Sequence, residues 1–146
     1  MKVLYSLVCE DASVRNDGRM DVHGVFHELL APGFPAQQDH LVLVAVLEWE
    51  EDESGTQRFS VDLLDPSESP CGTLNVETDV LPRGTRMAPP RTPLVFPIEG
   101  AVFPSPGSYE FVLRIGEERE RLAGLHLMHE PNLRPAEPGD THGNDR

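Results

Sequence analysis

Apolar residues recur at every second position over short runs, and the runs are separated by Gly, Pro, Asn and Asp. Successive side chains of an extended chain point to opposite faces, so this period is the signature of half-buried strands. Met20, Val22, Gly24 and Phe26 alternate with Asp21, His23, Val25 and His27, and Tyr109, Phe111, Leu113 and Ile115 alternate with Glu110, Val112 and Arg114. No stretch of ~12 residues carries a competing helical period. The sequence therefore predicts an all-β chain.

The first run, Val3–Cys9, can set Val3, Tyr5, Leu7 and Cys9 on one face. Asn16-Asp17-Gly18-Arg19 supplies the left-handed conformers of a tight turn, so the first run and Met20–Phe26 read as an antiparallel pair. Pro32 and Pro35 break regular structure, and residues 30–39 read as a crossing loop. Leu41–Leu47 is apolar on both faces, as expected of a central strand covered on both sides or of one facing a second protomer. Glu48–Gly55 then reads as a turn that brings Phe59, Val61 and Leu63 back as the second arm of a hairpin. Thr73–Val80 is a further strand.

From Leu81 to Pro93 stand four prolines and three arginines, a stretch that reads as a long connection between sheets. Leu94–Ile98 resumes as a strand placed at an edge by Pro97. After the Tyr109–Ile115 run, Gly116 turns the chain into a last strand, Glu120–Met128. Residues 1–130 form one domain, and the Pro- and Gly-rich segment 131–146 is expected to be a disordered tail. About eight short strands with two long connections point to an antiparallel β-sandwich, immunoglobulin-like or Greek-key, with a closed β-barrel as the alternative.

Gly107-Ser108-Tyr109-Glu110-Phe111 resembles the Gly-x-Tyr-x-Cys corner of immunoglobulin-like domains, with Phe111 in the cysteine position. Such a resemblance implies a tyrosine hydroxyl tied back to upstream backbone. More widely, Cys9-Glu10-Asp11-Ala12, Asp17 through Phe26, Phe34-Pro35-Ala36 and the late Phe103 resemble an uncharacterised family of small bacterial β-sandwich proteins. That resemblance implies no catalytic residue.

With 25 acidic and 12 basic side chains the net charge is −13, which opposes binding to a phosphate backbone or an anionic membrane surface. No run approaches the ~18 apolar residues of a membrane span, and Met1–Cys9 is too short for a secretory signal. Two distant cysteines, Cys9 and Cys71, are then expected as reduced thiols in a cytoplasmic protein. Lys2 is the sole lysine and Ile98 and Ile115 the sole isoleucines, a codon bias that points to a GC-rich bacterial genome.

The chemistry-bearing residues form no catalytic set, and no cofactor is expected. His23 and His27 share a strand face but sit ~13 Å apart along the backbone, too far for one ion. His126 and His129 change face between them. Glu48, Glu50, Glu51, Asp52 and Glu53 offer oxygen ligands suited to Ca²⁺, although the spacing of a dedicated calcium loop is missing; the plainer reading is a solvated tip. Ser105 lies in no nucleophile elbow, and Cys9 points to the core, where a thiol is inert.

Interface candidates remain. Trp49 is either a rim-packing side chain or an exposed anchor. Arg83, Arg86 and Arg91 occupy a connection with no acid between Asp79 and Glu99, and arginine forks suit carboxylate or phosphate partners. The sequence is thus read as a non-catalytic protein-interaction or scaffold module of a bacterial assembly, with a protein partner and possible self-association. A Ca²⁺- or carbohydrate-binding sandwich is the alternative, and a hydrolase is a third.

Overall fold

The computed structural model describes residues 1–84 and 87–130; the expected tail, 131–146, lies outside them. Among the described residues there are nine strands: β1 (Lys2–Val14), β2 (Met20–Val25), β3 (Glu28–Ala31), β4 (Ala36–Glu48), β5 (Gly55–Leu64), β6 (Pro70–Val80), β7 (Arg91–Phe103), β8 (Gly107–Ile115) and β9 (Glu118–His129). A 3-10 turn covers Glu51–Glu53. The alternation thus gives an all-β chain, with one strand beyond the expected count. The strands form two open sheets, ordered β2-β1-β4-β7 and β3-β9-β8-β5-β6, and neither closes into a barrel.

One apolar core lies between the sheets. Leu41, Leu43 and Leu47 of β4 meet Phe59 and Val61 of β5 and Leu113 of β8 there, each at most 5% exposed. Burying a side chain of this size removes it from water at a gain of about 1.5–3 kcal/mol. β4 is flanked by β1 and β7, and its other face is covered as well. Val42 and Val44 join Cys9 in a second cluster, packed by Leu7, Ala12, Met20, Val22 and Val95. The doubly apolar run is therefore a central strand buried by its own chain.

Several expectations change at irregularities that period counting does not register. β1 shifts register against β4 between Val3 and Tyr5. Val3 therefore packs on the main core, while Leu7 and Cys9 turn to the second cluster and Tyr5 is half exposed. A bulge adds one residue and so reverses which face follows it. The same device on β9, opposite Glu110 and Val112, lets Leu122 and Leu125 both enter the core despite their odd spacing.

The loop expected over residues 30–39 shrinks to Pro32–Pro35, with a cis Phe34–Pro35 bond, because β3 ends at Ala31 and β4 already pairs at Ala36 with Phe103. β3 runs parallel to β9, so the sheets are not wholly antiparallel. β4 and β5 are not a hairpin, because they lie in different sheets. The segment between them crosses the core rim, drawn in by Trp49, which is 1% exposed. β5 instead pairs with β6, and β7 with its two prolines is an edge strand as Pro97 required.

β8 begins at Gly107, where φ is +130° and a Cβ would lie 2.8 Å from Pro66 Cγ. Only glycine fits that approach. Two residues on, the Tyr109 hydroxyl donates to the Ser105 carbonyl at 2.7 Å and accepts the Ser105 N–H at 3.1 Å. The Tyr109 ring meets Phe103 edge to face, 5.0 Å between centroids. Among the described residues no helix is long and apolar enough to cross a membrane.

Candidate functional site

Of the interface residues singled out in the sequence, Trp49, Arg83 and Arg91 lie at one end of the molecule, where β4 leaves its sheet and β7 enters it. Trp49 donates its backbone N–H to the Pro90 carbonyl at 2.9 Å and its indole Nε1–H to Thr92 Oγ1 at 2.8 Å. Its ring belongs to the core. The exposed-anchor reading of Trp49 is thereby corrected: the residue staples the Pro-rich link to the core rim, and its indole offers no surface to a partner.

Arg91 is the first residue of β7, not part of the loop, and lies opposite Glu48 with Nε 3.0 Å from Oε2. Arg83 is exposed and donates Nε–H to the Met87 carbonyl at 3.0 Å, bending the link upon itself. Arg86 lies outside the described residues. A cleft of about 600 Å³ separates the link from the acidic crossing, with Arg83 and Pro89 on one wall, Glu50 and Asp52 on the other, and Lys2 and Trp49 between. Of the three arginines only Arg83 lines this opening among the described residues, together with the acidic crossing.

The acidic wall is internally organised. Glu50, Asp52 and Glu53 bring carboxylate oxygens within 4.8 Å of one another. The 3-10 turn has a capping arrangement in which Glu53 Oε1 accepts the Glu50 N–H at 2.8 Å. The same oxygen receives the Met1 ammonium at 2.6 Å. Burial lowers the ammonium's pKa, but the hydrogen bond and the charges of Glu53, Glu50 and Glu118 outweigh it and raise the value overall. Burial likewise opposes the ionisation of Glu53, but the ammonium and the Glu50 N–H favour it and outweigh burial, so its pKa is lowered. A cation thus already sits on Glu53.

The apolar side of this end was not legible from alternation. Leu81 is 77% exposed and Met87 63%, the two highest values among the described large apolar side chains. Both lie on the link with Arg83. Prolines limit the conformations such a link loses on binding, and an arginine beside exposed apolar atoms combines a carboxylate-seeking fork with a desolvating patch.

Among the described residues, neither histidine pair singled out in the sequence forms a ligand set. His23 lies opposite Asp11 in β2, while His27 falls beyond the end of that strand, so the two do not share one as expected. His129 hydrogen-bonds the Pro32 carbonyl at 3.1 Å, and Phe34 stacks edge-on against it. Cys9 and Cys71 are both free thiols, the first buried and the second exposed. Ser105 serves the corner through its backbone.

A second opening, missed by motif reading, is a cleft of about 430 Å³ that includes His27, Asp65, Glu68, Ser108, Arg121 and His126. Ser108 and His126 are register partners on β8 and β9, with Oγ 3.0 Å from Nδ1. Glu110 and Arg121 pair nearby at 3.3 Å. Hydrolytic use of a serine needs a histidine oriented by a third group. Among the described residues no carboxylate hydrogen-bonds the other nitrogen of His126.

Residues 4–128, from within β1 to within β9, match the family described as a family of unknown function (DUF6941). No curated protein matches the chain.

Proposed function

The chain belongs to this family of unknown function, and from its own geometry we propose that it is a non-catalytic protein-interaction or scaffold module of a bacterial assembly. In this reading it is an intracellular β-sandwich with an immunoglobulin-like corner, and the two free thiols fit a reducing compartment. The observation that carries the proposal is the exposure of Leu81 and Met87 on a proline-held link beside Arg83. A contiguous apolar patch rimmed by charge marks a contact surface, and Leu81 and Met87 are the side chains that would form one here. The acidic wall opposite disfavours nucleic acid and suits a partner that presents both charge signs.

The experiment is quantitative affinity capture from the source organism with the wild-type chain, Leu81→Ser/Met87→Ser and Arg83→Glu. A protein enriched by the wild type and lost with both variants, all melting alike, is the expected outcome. Identical enrichment profiles for the three chains would overturn the reading.

A further inference from the structure

We propose that the free edge of β6, with the apolar cleft beside it, is a strand-addition site for an extended segment of a partner protein that alternates apolar and basic residues. The inference is independent of the Leu81–Pro90 link. A sheet edge is a template of unpaired N–H and C=O groups, and a chain must blunt those it does not use.

Three of the four edges here are blunted. On β7, Pro93 and Pro97 are four apart and therefore turn their ring nitrogens to one side. That side is the one away from β4, because the ladder with β4 is continuous from Leu41↔Ile98 to Glu48↔Arg91. β2 has six residues, with Gly24 at φ +67°. β3 has only four. β6 has 11 residues, no proline after Pro70 and no positive φ, and no strand pairs with its outer side among the described residues.

The flank of that edge is apolar. Between β6 and β7 the two sheets leave a cleft of about 190 Å³, lined by Leu63, Leu74, Ile98, Val102 and Phe111, with exposed Cys71 also on its wall. A strand added along β6 would send alternate side chains toward this cleft and the others toward the solvent face. There Glu77 is paired with Arg58 at 2.7 Å and Asp79 accepts only the Thr56 hydroxyl at 2.8 Å, which leaves Asp79 as the carboxylate without a cation among the described residues. β6 itself carries no cation, and the whole chain is at −13. Pairing β6 with β6 of a second copy would join two acidic strands of two acidic molecules. Basic residues at the outward positions of a foreign strand are the complementary choice.

The test titrates the full chain with a capped peptide of about nine residues alternating valine and lysine. One control holds the same residues in two blocks, and another alternates valine and glutamate. Backbone amide shifts report the site, and alkylation of Cys71 gives a second readout, since Cys9 is buried. The proposal expects shifts confined to β6 and the cleft, slower alkylation of Cys71, and binding at least about tenfold weaker for both controls. Val102→Asp, at a side chain 51% exposed, and Asp79→Asn, which can still accept from Thr56, should each weaken binding about tenfold while the chain stays fully folded at the assay temperature. Equal binding of the blocked peptide, indifference to both variants, or no binding would overturn it. So would β6 shifts that grow with protein concentration alone, which would make a second copy the occupant.

Discussion

Ser6 of β1 and Ala123 of β9 are joined across the two sheets: the Ser6 hydroxyl accepts the Ala123 N–H at 3.0 Å and donates to the Val44 carbonyl at 2.9 Å. One side chain thus satisfies backbone groups of two other strands, 38 and 117 residues distant. Removing it leaves a donor in the core margin without a partner, which costs more than the loss of an average hydrogen bond. Ser6→Ala should destabilise by about 1–2 kcal/mol, read as a lower urea midpoint at unchanged slope.

The corner at Tyr109 makes a parallel case with a different geometry. Tyr109→Phe keeps the ring that meets Phe103 and fills the core, but frees both the N–H and the carbonyl of Ser105. A loss of about 1–3 kcal/mol is expected. Amide exchange at Ser105 should accelerate beyond what that global loss accounts for, which separates a local tie from general packing.

Asp62 is the sole buried charged side chain among the described residues, at 5% exposure, and it faces outward from β5. The Arg114 hydrogen bond at 2.7 Å holds its carboxyl below the usual carboxylate range against the opposing effect of burial, with Thr73 adding a second bond. Because the folded pKa is depressed, the stabilisation is present above the unfolded value and is lost as pH falls through the folded one. Unfolding free energy should therefore fall below about pH 4, and Asp62→Asn should flatten that part of the profile. Arg114→Met should destabilise at pH 7, and its difference from the wild type should shrink as pH falls through the depressed folded value of Asp62.

His40 and Glu99 form the opposite case, a cross-strand pair of β4 and β7 on the surface. The hydrogen bond to Glu99 raises the His40 pKa, outweighing slight desolvation, and Asp11 adds to it. Here the stabilising charge is complete below the ordinary histidine value and disappears as pH rises through the raised one. In an NMR titration of the imidazoles, His40 should titrate above the ordinary histidine value of about 6.5, and Glu99→Gln should lower it toward that value. A wild-type midpoint at or below the ordinary value would refute the pairing.

How much of this was legible beforehand follows from range. Alternation at Phe59, Val61 and Leu63, and at Tyr109, Phe111 and Leu113, identified core faces because that period is local. Pro97 announced an edge for the same reason, since a missing donor is a property of one residue. The bulge in β1 splits a run that reads as one face without altering composition, so Val3 packs on the main core while Leu7 and the buried Cys9 join the second cluster. Partners such as Ser108 and His126, or Ser6 and Ala123, are set by strand order, which no local pattern encodes. At the candidate site the sequence marked Arg83 and Arg91 by an absence of acids, yet gave no sign that Arg91 would be held by Glu48 and that Leu81 and Met87 would stand exposed.

Trp49 ties these strands of argument to a measurement, because it is the only tryptophan in the chain. At 1% exposure, with Nε1–H bonded to Thr92, its emission should be blue-shifted and inaccessible to iodide until the fold opens. Trp49→Phe should lose about 1–3 kcal/mol, from the smaller ring and the unpaired Thr92 hydroxyl, while Trp49→Ala should lose about 3–5 kcal/mol through the cavity it leaves. The chain crosses from one sheet to the other at this residue, and its indole N–H holds Thr92 two residues beyond Pro90, so both variants, which lose that bond, should loosen the link that carries Leu81, Arg83 and Met87. Partner capture should then fall with Trp49→Phe even at temperatures where the chain is fully folded, by way of the link. Capture that tracks only the folded fraction would show the core and the contact surface to be uncoupled.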